Sequence, residues 1–326
     1  MTKSLSRPRR IGVLTSGGDA PGMNAAVRAV VRKAVYEGLL VTGVMRGYAG
    51  LIDGDMRPLD ERSVGDLIHR GGTFLQTARS ERFKTPEGQA QARARLEEAG
   101  IEALVTIGGG GTFKGALALQ DAGFPVVGVP GSIDNDIPET EYSIGFDTAV
   151  DTALDAIERL RDTAWAHSRV FLVEVMGRDT GFIALAAGLA GGAETVLIPE
   201  VPFDVGELCE SILTSYRKGK RHSVIVVAEG AASAADLGRQ VRERTGLDTR
   251  VTVLGHVQRG GRPTGFDRTL ASQMGAAAVD LILQGKTGQM TAWRSGRVLA
   301  VPLREVVGRR KEIDLSLYEL AKILAI

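Results

Sequence analysis

Residues 104–115, LVTIGGGGTFKG, run from an apolar, β-branched segment into four consecutive glycines and then into a segment of helical character. An apolar run bounded by glycine and followed by helix formers is the mark of a strand–turn–helix unit. Glycine at successive positions costs roughly 0.5–1 kcal/mol per residue wherever regular structure would otherwise form. Close approach of the backbone to a ligand is therefore favoured over a merely flexible turn. The loop carries no carboxylate, so any metal beside it must be held from elsewhere.

The same unit recurs along the chain. Runs at 11–15 (IGVLT), 39–45 (LLVTGVM), 103–107 (ALVTI), 124–129 (FPVVGV), 169–175 (RVFLVEV), 223–230 (SVIVVAEG) and 250–256 (RVTVLGH) alternate with helical patterns such as GMNAAVRAVVRKAVYEG and PEGQAQARARLEEAG. This alternation predicts an α/β fold with a largely parallel sheet covered by helices on both faces. Ligands of such sheets gather beyond the carboxyl ends of the strands. Four unusual motifs sit there: SGGDAPGMN, IGGGGTFKG, VPGSIDNDIPE and VMGRDTG.

The 326 residues, 44% hydrophobic, are enough for about two domains. Lysine plus arginine (40) nearly equals aspartate plus glutamate (39), leaving a net charge of +1. No global field draws the chain to nucleic acid or to a membrane, so any attraction for anions must be local. The single cysteine, Cys209, cannot form an intrachain disulfide, and the longest apolar stretch, around Phe182 to Ile198, is broken by glycines and Glu194. A cytoplasmic protein without a spanning helix is expected. The basic N-terminal MTKSLSRPRR has no apolar region after it and reads as a short frayed arm.

Taken singly, each motif has an ordinary alternative. SGGDAPGMNAAVR can leave backbone N–H groups facing an anion at a helix start, or be a plain turn capped by Asp19. IGGGGT fits neither the dinucleotide fingerprint nor the P-loop, because Lys114 and Gly115 stand in the wrong order. The pair Asp134 and Asp136 around Asn135 suits a kinase, which needs a carboxylate to accept the hydroxyl proton and often another at magnesium, but also suits a self-capped turn. Arg178 and Arg259 have the fork that matches phosphate, yet each alone resembles a solvated strand end. His256 alone is more often structural, and the basic run YRKGKRH at 216–222 is by itself a solvated helix C-terminus.

As an ordered set, TSGGDAPGMNAAVR, RGGTFLQTARS, GSIDNDI, SIGFDTAVDTALDAI, RVFLVEVMGRDTGFIALAAGLAGGAE, VAEGA and VTVLGHVQRGG closely resemble the bacterial ATP-dependent 6-phosphofructokinases, from residue 10 almost to the end. The resemblance implies two Rossmann-like three-layer domains. One, larger and ATP-binding, would take 1–145 plus about 258–308; the smaller, fructose 6-phosphate-binding, 146–257 plus about 309–326. It implies transfer of the ATP γ-phosphoryl group to the 1-hydroxyl of fructose 6-phosphate, with Asp134 as general base, Ser132 assisting it and Arg178 stabilising the transferring group. Sugar recognition would fall to Met176, Gly177, Glu229, His256 and Arg259, with Arg169 and Arg250 reaching the 6-phosphate from a neighbouring subunit of a homotetramer. The nucleotide contacts would be Gly17, Tyr48, Arg79, Ser80, Gly109, Gly111 and Thr112. Ser80 stands where an aromatic residue is common. Arg28, Arg32, Arg161, Glu194, Lys218 and Lys220 match the effector site for ADP or phosphoenolpyruvate, although Glu61 stands where another effector arginine is usual.

Mg2+ would accompany ATP. The family normally has aspartate at the third position of the glycine loop, where this chain has Gly110, so Asp136 and the nucleotide would carry the ion and magnesium handling should be weakened. Pyrophosphate-dependent relatives have aspartate at the position of Gly111 and lysine at that of Gly131, so the resemblance favours ATP. A catalytically weak or inactive binding or regulatory subunit, and a kinase for another phosphosugar, are the competing expectations.

Overall fold

The computed structural model describes residues 7–325, so the first six residues of the basic N-terminal arm lie outside the described residues. The chain begins with β1 (Arg10–Ser16), α1 (Met23–Tyr36), β2 (Leu40–Val44), α2 (Gly47–Asp53), β3 (Met56–Leu59), α3 (Pro86–Glu98), β4 (Ala103–Gly108), α4 (Gly110–Asp121) and β5 (Val126–Pro130). It continues with α5 (Phe146–His167), β6 (Val170–Val175), α6 (Phe182–Ala190), β7 (Thr195–Leu197), α7 (Val205–Arg217), β8 (Ser223–Ala228), α8 (Ala234–Thr245) and β9 (Thr249–Val253). The last elements are α9 (Gly265–Leu283), β10 (Gln289–Arg294), β11 (Arg297–Pro302), α10 (Leu303–Val306) and α11 (Leu315–Leu324).

Two compact units form: residues 1–147 with 259–311, and residues 148–258 with 312–326. The first holds a seven-stranded sheet in the order β11-β10-β5-β4-β1-β2-β3. Its interior pairs are parallel, and only the edge pairs β2–β3 and β10–β11 are antiparallel. The second holds an all-parallel four-stranded sheet, β7-β8-β6-β9. The α/β class expected from the alternation of strand and helix patterns is the observed one.

Burial explains why these runs are strands. Every residue of β4 and of β8 is buried, the continuous apolar pattern of a parallel strand covered on both faces. Helix α1 buries Met23, Val27, Val30, Val31 and Ala34, a stripe at helical spacing. It lies close to α9, because a Cβ added at Gly275 would stand 2.7 Å from the Ala26 carbonyl oxygen. Helix starts are capped in sequence-legible ways: Thr85 before Pro86 in α3, Asp204 in α7, Ser233 in α8 and Thr264 in α9 each accept a hydrogen bond from a first-turn amide. Helix α1 differs, since it starts after Gly22 at φ +99° with no side-chain cap and Asp19 does not cap it.

Candidate active site

In the first unit, adjacent strands bring the two glycine turns together. β1 pairs with β4 so that Ser16 lies opposite Gly108, and β4 pairs with β5 so that Gly108 lies opposite Pro130. The turn after β1, the glycines after β4 and the acidic turn after β5 are therefore neighbours at one end of the sheet.

The four glycines are not one loop. Gly108 ends β4, Gly109 is the extended N-cap residue, and Gly110 and Gly111 are the first residues of α4. Only Gly108 is required by packing: a Cβ there would stand 2.3 Å from both the Ser16 carbonyl oxygen and the Thr112 hydroxyl. At Gly109 the nearest atom would be 3.8 Å away, and at Gly110 and Gly111 nothing lies within 4 Å. Their bareness leaves open space over the N-terminal amides of α4, which carry partial positive charge and suit a phosphate.

The surrounding residues hold this surface still. Thr112 Oγ1 donates to the Ser16 carbonyl (2.9 Å), and Tyr48 donates its hydroxyl to the Thr112 carbonyl (2.7 Å) while its ring stacks on Phe83 at 4.0 Å. Tyr48 is buried and supports α4 from beneath, and the same burial pushes its phenol well above the usual range. Thr77 donates to the Gly17 carbonyl (2.6 Å), where Gly17 takes φ +90°, a conformation suited to glycine. Arg79 is exposed, and the Ser80 hydroxyl accepts from the Phe83 amide (3.2 Å). Buried Asn24 donates to the carbonyls of Arg70 and Gly71 and accepts from Phe74, fastening the RGGTF segment to the start of α1. Arg259 lies on the first turn: a Cβ at Gly18 would meet its Nη1 at 2.4 Å, and Nη1 donates to the Asp19 carbonyl (3.2 Å).

The acidic turn follows β5. An isolated bridge joins Gly131 to Ile144, Ser143 Oγ donates to the Ser132 carbonyl (2.6 Å), and the Asp134 amide donates to Ser132 Oγ (3.2 Å). Asp134 is buried, with 3% of its surface exposed, while Asp136 is half-buried. Asn135 between them takes φ +52°; its Oδ1 accepts from the Ser143 amide and its Nδ2 donates to the Glu141 carbonyl. That amide fixes a left-handed residue, so the two aspartates are set on either side of a braced turn.

These residues fit a magnesium ion only in part. Among the described residues no group of three or more His, Cys, Asp or Glu side chains able to hold a metal forms, and the first turn of α4 has no acidic residue. So sparse a set of carboxylates suits only an ion that arrives already bound to a nucleotide's phosphates and water.

In the second unit the turn after β6 is braced by side chains. Gly177 (φ +143°) and Arg178 (φ +53°) present successive amides to Glu229 Oε1 at 3.2 and 2.8 Å. The Met176 amide donates to Gln258 Oε1 (2.8 Å), and Gln258, fully buried, also donates to the Ala149 carbonyl. Gly230 must be glycine, because a Cβ there would stand 2.1 Å from the Arg178 carbonyl oxygen. Met176, Gly177, Arg178 and Glu229 thus converge at the carboxyl ends of β6 and β8, while His256 is exposed on a short 3-10 turn, Gly255–Arg259.

Arg169 and Arg250 do not join them. Both bind Asp248, Arg169 Nε at 2.7 Å and Arg250 Nη2 at 3.2 Å, beside the amino-terminal ends of β6 and β9. The hydrogen bond from Arg169 holds the Asp248 carboxyl below its usual range. Six or seven strand residues at ~3.3 Å each separate this pair from Met176 and Arg178, about 20 Å across one sheet. Of the basic residues matched to the effector site, Arg161 (3.4 Å) and Lys220 (3.1 Å) both contact Glu194 Oε1. Lys218 is exposed at the C-cap of α7. Arg28 and Arg32 lie on α1 in the other unit; burial and the neighbouring Arg32 charge lower the pKa of Arg28.

Three features of this geometry escape sequence reasoning. Asn24 and Gln258 lie inside quoted motifs, but only their burial identifies them as braces. Lys311, which donates to the Glu141 carbonyl at 2.7 Å, belongs to no motif.

The comparisons with known proteins agree on one relationship. Residues 10–282 match the family described as Phosphofructokinase. The chain belongs to the phosphofructokinase family. It is 56% identical over 98% of its length to the whole ATP-dependent 6-phosphofructokinase of Halalkalibacterium halodurans, and 57% identical over 98% to the whole ATP-dependent 6-phosphofructokinase 1 of Thermus thermophilus. Among solved structures it superposes on phosphofructokinase from Saccharomyces cerevisiae with a TM-score of 0.85 at 39% identity, covering 91% of this chain but only 45% of the yeast one. The pyrophosphate-dependent phosphofructokinase from Marinobacter aquaeolei superposes with a TM-score of 0.85 at 25% identity, covering 94% of this chain and 86% of that one. Kinases that move a phosphoryl group work by positioning and charge stabilisation.

Proposed function

We propose that this chain is an ATP-dependent 6-phosphofructokinase, a phosphotransferase of glycolysis that converts fructose 6-phosphate to fructose 1,6-bisphosphate. The observation that carries this reading is identity above 50% across the full length of bacterial relatives bearing that name. The open amides of Gly109, Gly110 and Gly111, with Gly17 and Thr112, receive the nucleotide phosphates in the larger, ATP-binding unit, aided by Tyr48 from beneath and by Arg79 and Ser80 at the rim. Asp134 accepts the proton of the sugar 1-hydroxyl, Ser132 holds the turn that aims it, and Arg178 meets the charge that develops on the transferring group. Met176, Gly177, Glu229, His256 and Arg259 bind the sugar.

Magnesium, when bound with ATP, neutralises phosphate charge, and Asp136 is the residue of this chain that takes part in holding it. Gly131 and Gly111 stand where pyrophosphate-dependent relatives carry lysine and aspartate, which supports nucleotide over pyrophosphate as donor. Arg169 and Arg250, at the amino-terminal ends of β6 and β9, are assigned to the 6-phosphate site of another copy, which makes a homotetramer part of the function. Arg161, Glu194, Lys218 and Lys220 in the smaller unit, and Arg28 and Arg32 in the larger, are each assigned to allosteric binding of ADP or phosphoenolpyruvate. No helix among the described residues is long and apolar enough to cross a membrane, and a cytoplasmic location suits the reaction.

The test is ADP formation from ATP with a panel of phosphorylated hexoses at saturating magnesium. Preference for fructose 6-phosphate is expected. Preference for another phosphosugar overturns the substrate, and ligand binding without product overturns the kinase and leaves a binding subunit.

A further inference from the structure

The turn that carries Asp134 and Asp136 is fastened at its far side by residues distant in sequence. The Glu141 amide donates to the Trp293 carbonyl (2.8 Å), the Trp293 amide donates to Thr140 Oγ1 (2.9 Å), and the Ser295 amide donates to the Glu141 carboxylate (3.0 Å). Those contacts tie residues 140 and 141 to the β10–β11 hairpin. The Glu141 carbonyl is then left to two donors at once: Asn135 Nδ2 at 3.1 Å and Lys311 Nζ at 2.7 Å. Asn135 is the left-handed residue between the two aspartates, so whatever fixes the Glu141 carbonyl fixes the turn.

Lys311 is half-buried, and Asp136 and Glu141 are the charged groups acting on it. Burial lowers its ammonium to about 8, whereas the two carboxylates favour the charged form. Lys311 is also the last residue of the first unit, and the chain enters the second at Glu312.

We propose that Lys311 is a positioning residue for phosphoryl transfer, holding the Asp134–Asn135–Asp136 turn through the Glu141 carbonyl that it shares with Asn135. The assignment rests on the kinase reading above and deepens it. It places on the connection between the two units a side chain that sets the geometry of the proposed base. No substrate or nucleotide contact by Lys311 is involved.

The experiment compares Lys311→Met and Lys311→Arg with the parent, all as full chains, by steady-state kinetics, thermal unfolding and hydrogen exchange. Lys311→Met is expected to lower kcat by about 10- to 100-fold, the scale seen when a supporting group behind a reactive site is removed. The KM for fructose 6-phosphate should stay within about threefold, and amides of residues 132–143 should exchange at least about tenfold faster while those of β6 and β8 are unchanged. Lys311→Arg, which keeps the charge and the donor, should restore most of both losses. Unchanged exchange in 132–143, loosening without loss of kcat, or a uniform loss of protection with a lower melting temperature and normal turnover per folded molecule each overturn the assignment. A parent without kinase activity overturns the functional reading instead, and the exchange comparison still decides whether Lys311 holds the turn.

Discussion

Replacing Gly110 by aspartate tests where the metal and the phosphates lie. The substitution is sterically free, because a Cβ at Gly110 meets nothing within 4 Å and the residue needs no positive φ. It also puts a carboxylate into the first turn of α4, which has none. Relief of the glycine penalty contributes a few tenths of a kcal/mol and the interaction with the helix N-terminus about 0.3–1 kcal/mol, so the ligand-free protein should gain about 1 kcal/mol. For a unit of this size that raises the melting temperature by about 2–4 °C. If Gly110 faces the nucleotide, the new carboxylate joins Asp136 as a magnesium ligand and lowers the half-saturating magnesium for ADP formation by about 10- to 100-fold. It must also repel metal-free ATP. One pair of like charges about 4 Å apart is worth ~1 kcal/mol even in water, so metal-free ATP should bind at least about fivefold more weakly. The assays are thermal unfolding without ligand, a coupled kinetic magnesium titration, and calorimetric ATP binding with and without magnesium. A melting temperature that rises as expected, with magnesium dependence and metal-free ATP affinity both unmoved, would show a correctly placed carboxylate far from metal and phosphate. The nucleotide could not then lie on these glycines.

Three further outcomes follow from the site. Asp134→Asn should lower kcat by about 10²- to 10⁴-fold with fructose 6-phosphate binding nearly unchanged, and an unaltered rate removes Asp134 from the role of base. Mixed oligomers refolded from an Arg250→Ala chain and an Asp134→Asn chain should regain activity that neither parent shows, since some of their sites combine an intact Asp134 with an intact Arg250 from another copy; no recovery in verified mixed oligomers refutes a shared site. Cys209 is buried on α7, and desolvation holds its thiol above the usual range, so the reactive thiolate is scarce at pH 8. A thiol reagent should therefore label it only as the second unit opens with added urea, and full labelling within seconds of the native protein would contradict that burial.

The fold was legible where the physics is repetitive. Runs such as ALVTI and SVIVVA are buried throughout and almost wholly apolar because parallel strands are covered on both faces, and they announce themselves. The strands β3, β7, β10 and β11 escaped because three residues of TVL are too short for any period, MRPL and RVLAVP carry proline and exposed residues as edge strands do, and QMTAWR mixes polar with apolar residues. The glycine run was located correctly but read as a loop. Gly110 and Gly111 are tolerated inside α4 because first-turn amides have no intrahelical partner to lose, so composition alone cannot tell a glycine loop from a glycine helix start. Local motifs could point to Asp134, Asp136 and Arg178 because their chemistry travels with a few neighbouring residues. The braces could not be found in that way. Gln258 acts on Met176 and Lys311 on Glu141, contacts made across 82 and 170 residues of chain and created only when the sheets assemble. A positioning residue is defined by what it holds rather than by its own type, and a lysine near a chain end therefore carries no signal until the carbonyl it meets is known.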